Sequence, residues 1–178
     1  MASNNPGSSS STARHQSDRS FVMTRTFDAP RSLVFKLWSD SEDMKHWWGP
    51  KGSIIGVFNM DFRPGGTLLY SVRLPEGGET WGKFVYREIL PPDRLVFIHS
   101  FSDETGKTSR APFSPTWPLE IETTVSLSER FAKTNLALLA RPINATDDEW
   151  STFESSFDSV HKAFSGSFDR LTDYLAKV

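Results

Sequence analysis

Residues 146–178 read TDDEWSTFESSFDSVHKAFSGSFDRLTDYLAKV. Apolar residues recur in this stretch at steps of three and four, at Trp150, Phe153, Phe157, Val160, Phe164, Phe168, Leu171 and Leu175. This spacing places all of them on one face of an α-helix. The pattern predicts a single helix from Asp147 to about Ala176, roughly 45 Å long at 1.5 Å per residue.

The sequence also indicates where this helix begins. Thr146 can cap the first turn, and Glu149 can reach back to complete a capping box. Asp147 and Asp148 suit the positive end of the helix dipole. A helix with a broad aromatic face needs an apolar partner, and the residues before it have the pattern of a sheet.

Short apolar segments separated by turn residues precede the helix. We predict strands at 21–27, 54–62, 67–74, 81–89, 95–101, 119–127 and 134–140, because these segments are rich in apolar residues and several alternate between apolar and polar. Breaks at 63–66, 75–78 and 91–93 contain Pro or Gly, which are typical of tight turns. A further break is predicted at 128–130. Short connections join antiparallel neighbours.

Two short helices are expected between the first and second strands. Asp28 and Pro30 suit the start of one, and residues 41–47 form the other, which ends at Gly49. Alternation on the later strands, such as Leu68, Tyr70 and Val72, gives each strand one buried face. The chain is therefore predicted to be an α+β protein in which an antiparallel sheet packs on a long C-terminal helix.

The composition and net charge of the chain argue against several functional classes. The chain has 178 residues, a net charge of −2 and no cysteine. The small net charge gives no reason to expect nucleic-acid binding. Without cysteine, the chain can form neither a disulfide framework nor a thiolate metal site. No apolar run is long enough for a membrane span and no secretory signal is visible, so a cytoplasmic protein is expected. Residues 1–20 are predicted to be a disordered tail and 21–178 the folded domain.

The order of elements and four short motifs carry a family resemblance. The motifs are Trp47-Trp48-Gly49-Pro50, Asp61-Phe62-Arg63-Pro64-Gly65-Gly66, Pro92-Asp93-Arg94-Leu95 and Phe168-Asp169-Arg170-Leu171. Together they resemble the homologue family of the activator of the heat-shock-chaperone ATPase, in the START-like and birch-pollen-allergen-like SRPBCC superfamily. Segments 111–119 and 142–146 are similar to a branch that includes an enediyne-resistance protein. The resemblance implies a helix-grip fold, with the sheet curled around the helix and a cavity between them.

One position departs from the family pattern. Many members carry a Gly-Trp pair near the middle of the last helix, where this chain has Ala163-Phe164. The pocket lining is therefore expected to differ there, and the ligand of a relative cannot be transferred to this chain.

Motifs for catalysis, metals and phosphates are missing from the sequence. The serines lack a Gly-x-Ser-x-Gly elbow, so covalent catalysis is not expected. The four histidines lie in separate elements without the spacing of metal ligands. The paired glycines are not followed by the Lys-Ser/Thr of a phosphate loop. We predict no catalytic residue, no metal and no cofactor.

Aromatic side chains with a few polar groups are the remaining candidates for a site. We predict that ten residues contact a small hydrophobic ligand: Trp48, Tyr70, Trp81, Phe97, His99, Phe101, Trp117, Phe157, His161 and Phe164. Such a lining is typical of small-molecule pockets. The residues alone fit a solid core equally well, and the family resemblance favours a cavity. His99 also fits a hydrogen-bonded core histidine, and Trp47 and Trp48 also fit anchors for the second helix.

Three function classes follow. The preferred one is a module that binds a small hydrophobic or aromatic molecule. The second is an enzyme of the polyketide-cyclase type that uses His99, His161, Tyr70 or Asp61 for proton transfer. The third is a protein-interaction module like the chaperone activators. No feature of the sequence supports a homodimer. The long segment 102–118 is hypothesised to be a lid over the cavity mouth.

Overall fold

A computed structural model describes residues 19–178. Its strands are β1 (Phe21–Phe27), β2 (Ile54–Met60), β3 (Thr67–Arg73), β4 (Glu79–Leu90), β5 (Arg94–Ser102), β6 (Ile121–Arg130) and β7 (Lys133–Pro142). Its helices are α1 (Arg31–Ser39), α2 (Ser41–Trp47), α3 (Asp147–Ser155) and α4 (Phe157–Leu175). Each predicted strand is present; β1 has the predicted ends, and the ends of the other strands differ from the prediction by at most three residues.

The strands form one antiparallel sheet in the order β1-β7-β6-β5-β4-β3-β2. From β2 to β7, each strand pairs with the next strand in the sequence. Strand β1 pairs with β7, with Phe21 opposite Ala140. The curved sheet covers α4 on one face, and Phe168 and Leu171 of that helix are fully buried. The predicted α+β helix-grip fold, with two short helices after the first strand, is confirmed.

The C-terminal segment differs from the prediction in one respect. It is two helices, because the chain leaves helical geometry at Ser156, where φ is −102° and ψ is 7°. The hydroxyls of Ser155 and Ser156 both donate to the carbonyl of Thr152, at 3.0 and 2.7 Å. Such local bonds compete with the backbone ladder of a helix. The capping box of Thr146 and Glu149 is present at the start of α3.

The connection between β6 and β7 also differs from the prediction. Strand β6 continues through the predicted break at 128–130, and the turn lies at Phe131 and Ala132, with φ of 54° and 59°. Two successive residues with positive φ are the geometry of a two-residue hairpin turn. Residues that are neither Gly nor Asn rarely adopt it, so Phe131 and Ala132 do not signal a turn at this position.

The ends of the domain and the short helices are fixed by polar contacts. Arg19, which the sequence analysis assigned to the disordered tail, forms an ion pair of 2.7 Å with Glu154. Residues 1–18 of that predicted tail lie outside the described residues. Arg170 of α4 donates to the carbonyl oxygens of Trp48 and Gly49, just after α2. None of the helices in residues 19–178 is long and apolar enough to cross a membrane.

Candidate functional site

A cavity of about 770 Å³ lies between the sheet and α4. Strands β3 to β7 form its floor, α4 its roof, and residues 48–50 and 112–117 its sides. None of the residues that line it is Asp, Glu, Lys or Arg. Its volume falls within the range of pockets that hold small organic ligands.

The cavity exists because α4 carries small side chains where it faces the sheet. Ser159, Ala163 and Ser167 recur every four residues along this face and line the cavity. Above and below it, Phe153 and Phe168 are buried and close the space between the helices and the sheet. Ser159 and Ala163 are exposed, so the cavity opens to solvent beside them.

A hydrogen-bonded pair forms the polar centre of the cavity. The hydroxyl of Tyr70 on β3 lies 2.7 Å from Nε2 of His99 on β5. Strand β4 separates these two strands, and Gly82 is the β4 residue opposite Tyr70. A Cβ at Gly82 would lie 2.5 Å from the Tyr70 hydroxyl oxygen and 2.6 Å from its ring. The missing side chain of Gly82 therefore allows Tyr70 to cross β4 and reach His99.

Both groups of this pair are uncharged at neutral pH. Burial lowers the pKa of His99 to about 4, because the protonated ring would lose its hydration. Burial likewise raises the pKa of Tyr70, and a hydrogen bond from Trp48 opposes the rise. The Trp48 ring packs edge-on against both, with centroids 6.0 Å from each.

A second polar group lies further along the floor. Thr123 of β6 lines the cavity, is 1% exposed, and makes no side-chain hydrogen bond to another described residue. Its register places it opposite Phe97 of β5 and Ala140 of β7. A ligand in the cavity can therefore satisfy this hydroxyl.

Seven of the ten predicted contact residues border the cavity: Trp48, Tyr70, Trp81, His99, Phe101, Trp117 and Phe164. Trp81 does so least directly. The register pairs it with Ser71 and Ser102, positions that alternate with the cavity-facing Tyr70 and Phe101.

The other three predicted residues do not line the cavity. Phe97 is buried in the core and stacks on Phe84 at a centroid distance of 4.1 Å. Phe157 packs against Phe21 at 5.5 Å, where α4 meets the first strand. His161 is exposed on the outer face of the helix, where its Nδ1 lies 3.4 Å from the hydroxyl of Ser165, because it is rotated by about 100° from the cavity-lining Val160.

Sequence reasoning missed several lining residues that are small or polar. They are Gly82, Thr123, Ala140, Ser159 and Ser167. Ala163, which the sequence analysis already placed at the pocket, lies between the last two, and the four-residue repeat of small residues in the C-terminal helix was a signal for both of them. Gly82 and Thr123 needed the strand register, which the sequence does not specify.

The segment hypothesised to be a lid divides into two parts. Residues 103–107 form a local turn in which Asp103 accepts from the backbone of Lys107. Residues 112, 113 and 117 line the cavity. Arg110 holds the second part in place, since it pairs with Glu149 of α3 and donates to the carbonyl of Trp117 at 3.2 Å.

Two other candidate groups have structural contacts. Asp61 and Arg63 form an exposed ion pair of 2.8 Å beside their turn, away from the residues that line the cavity. Trp47 is fully buried and its indole N–H donates to the carbonyl of Leu37 at 2.9 Å, so it anchors α2 to α1. Within residues 19–178, no group of three His, Asp or Glu side chains could hold a metal ion.

Comparison with known families agrees with this architecture. Residues 28–176 match the model of the family described as activator of Hsp90 ATPase homolog 1-like protein. The chain belongs to this family. The match covers both the floor and the roof of the cavity. No curated protein matches the sequence significantly.

Several bacterial proteins of known structure share the fold. Protein Ms6760 of Mycobacterium smegmatis has a TM-score of 0.73 and 19% identity, over 90% of this chain and 93% of its own. A protein of Arthrobacter aurescens has a TM-score of 0.73 and 23% identity, over 89% of this chain and 87% of its own. A family protein of Silicibacter pomeroyi has a TM-score of 0.65 and 19% identity, over 88% of this chain and 97% of its own.

Proposed function

We propose that this protein binds a small hydrophobic or aromatic molecule in the cavity between the sheet and α4, as a cytoplasmic carrier or sequestering protein. The supporting observation is the cavity itself, about 770 Å³ lined by uncharged and mainly apolar residues. Burial of apolar ligand surface there contributes roughly 25 cal/mol per Å² before the costs of association. The similarity of segments 111–119 and 142–146 to an enediyne-resistance protein adds polycyclic natural products to the compounds worth testing.

Tryptophan fluorescence tests this proposal, because Trp48 and Trp117 border the cavity. Compounds extracted from the purified protein and identified by mass spectrometry, together with a panel of aromatic compounds, are titrated into the protein. Saturable quenching at one site per chain is expected. The Ala140→Phe variant, which places a ring in the cavity, should lose the quenching. Quenching that does not saturate, or that persists in this variant, would contradict binding in the cavity.

A second candidate function has one specific observation in its favour, the convergence of Tyr70 and His99 at 2.7 Å. An enzyme of the polyketide-cyclase type needs such a pair for proton transfer. The pKa of His99 near 4 makes the ring a weak base at neutral pH, and the raised pKa of Tyr70 makes its hydroxyl a weak acid. These values favour binding over catalysis. Chemical conversion of a bound aromatic polyketide that is lost in Tyr70→Phe would reverse this preference.

A further inference from the structure

The polar centre of the cavity offers a ligand one donor and one acceptor whichever way its protons are placed. Both His99 and Tyr70 are neutral, and one hydrogen bond joins Nε2 to the hydroxyl. If the hydroxyl donates, Nδ1 of His99 carries the remaining N–H, and the phenol oxygen, which already accepts from Trp48, has its second lone pair for the ligand. If Nε2 donates, the phenol O–H remains as donor and Nδ1 accepts. Among the described residues Nδ1 has no hydrogen-bond partner.

The rest of the lining offers hydrogen bonds without charge. Thr123 is buried, lines the same cavity and makes no side-chain hydrogen bond within residues 19–178. No lining residue is Asp, Glu, Lys or Arg, and His99 stays neutral. An ionised ligand would therefore exchange its hydration for a site that holds no opposite charge, which is strongly unfavourable.

We propose that the cavity selects uncharged aromatic ligands with a group that both donates and accepts hydrogen bonds, and discriminates against the corresponding anions. This inference rests on the proposed function and names the ligand class of the same site. Phenols, amides and hydroxyketones on an aromatic ring system have the required chemistry. Carboxylates of the same shape can only accept, and they bring a charge.

Naphthalene and two of its derivatives test the parts of this proposal separately. 2-Naphthamide and 2-naphthoate have nearly the same shape, and at pH 7 only the second is charged, since carboxyl groups have pKa values near 4. Naphthalene lacks the polar group. Titration calorimetry at pH 7 should give 2-naphthamide the highest affinity, at least about tenfold above 2-naphthoate. Naphthalene should bind more weakly than 2-naphthamide.

Each other result contradicts one part of the proposal. Equal or tighter binding of 2-naphthoate contradicts selection against anions. Equal binding of naphthalene contradicts the hydrogen-bonding requirement. If none of the three binds and no other aromatic compound does, the proposed function itself fails.

A charge placed at the cavity mouth provides an independent test. Ala163 lines the cavity and is exposed, so Ala163→Arg adds a cation at the cavity mouth and also narrows the space there. The quantity to compare is therefore the ratio of the two affinities, which this variant should shift several-fold in favour of 2-naphthoate over 2-naphthamide. Ala137→Arg is the matched control, because Ala137 is exposed on β7 and does not line the cavity. An equal shift of this affinity ratio in Ala163→Arg and Ala137→Arg would overturn the proposal.

Discussion

At the scale of single residues, Gly82 determines the geometry of the polar centre. Because a Cβ there would overlap the Tyr70 ring, Gly82→Ala should move Tyr70 away from His99. Overpacking of this kind costs about 1–3 kcal/mol of unfolding free energy. Urea denaturation measures the loss, and the ¹⁵N signals of His99 report the broken hydrogen bond.

Gly166→Ala is the matched control for that substitution. Gly166 lies inside α4, and its added Cβ would meet the backbone nitrogen of Lys51 at 3.4 Å, an ordinary contact. Alanine is preferred over glycine in a helix interior by roughly 0.5–1 kcal/mol. This variant should therefore be as stable as the wild type or more stable. Equal destabilisation by the two substitutions would show that Gly82 has no special role.

His99 makes stability depend on pH in a defined direction. Its pKa is lowered from 6.5 to about 4 by burial, so between these values the unfolded chain binds a proton that the folded protein excludes. The contribution of neutral His99 is complete above pH 6.5 and declines as the pH falls towards 4, by at most about 1.4 kcal/mol per pH unit. Unfolding free energies at pH 7.5, 6 and 5 should fall less steeply in His99→Gln than in the wild type. Parallel curves would contradict this assignment.

At the scale of elements, one ion pair joins the lid segment to α3. Arg110 bonds Glu149, while Glu149 keeps its capping bond to the backbone of Thr146 at 2.8 Å. Arg110→Gln should therefore release residues 110–118 and leave α3 capped. Amide exchange in these residues should accelerate several-fold, and a bound aromatic compound should slow it again. Arg141→Gln, which breaks the exposed pair with Glu122, is the control and should leave this segment unchanged.

The same ion pair has its own pH dependence. The hydrogen bond from Arg110 holds the pKa of Glu149 below its usual 4.5. The stabilisation is therefore complete above about pH 4.5 and disappears as the pH falls through the lowered value. Exchange rates of the wild type and Arg110→Gln should converge in acid. A difference that persists there would mean that Arg110 acts through its contact with Trp117 instead.

The elements were predictable where a short-range rule decides them. Alternation and turn residues located all seven strands, and the capping box located the start of α3. Two features escaped the prediction because the residue types at these positions do not indicate the local backbone conformation that they adopt. The apolar stripe continues through Ser156, where serine hydroxyls interrupt the backbone ladder, and the β6–β7 turn places Phe131 and Ala132 at positive φ. Neither residue type signals these conformations.

At the scale of the whole molecule, the site was less predictable than the fold. The sequence shows which residues are apolar, but the register decides which of them meet. Tyr70 and His99 are 29 residues apart and converge only because β4 presents Gly82 between them. Phe97 and Phe157 have the same local pattern as lining residues, but Phe97 stacks on Phe84 of the neighbouring strand and Phe157 packs against Phe21 of β1. A cavity is defined by absent side chains, which an apolar pattern does not report.

The cavity predicts that a substitution which fills it will stabilise the fold and weaken ligand binding. A cavity withholds the packing contacts that its walls would otherwise make, so filling it should stabilise the fold. Ala140 is buried on β7 and lines the cavity, whereas Ala137 is exposed on the same strand. Ala140→Met should retain or raise unfolding free energy, by up to about 2 kcal/mol, and weaken 2-naphthamide binding at least about tenfold. Ala137→Met should change neither. A large loss of stability in Ala140→Met would mean that this interior has no room for the added side chain, and hence none for a ligand.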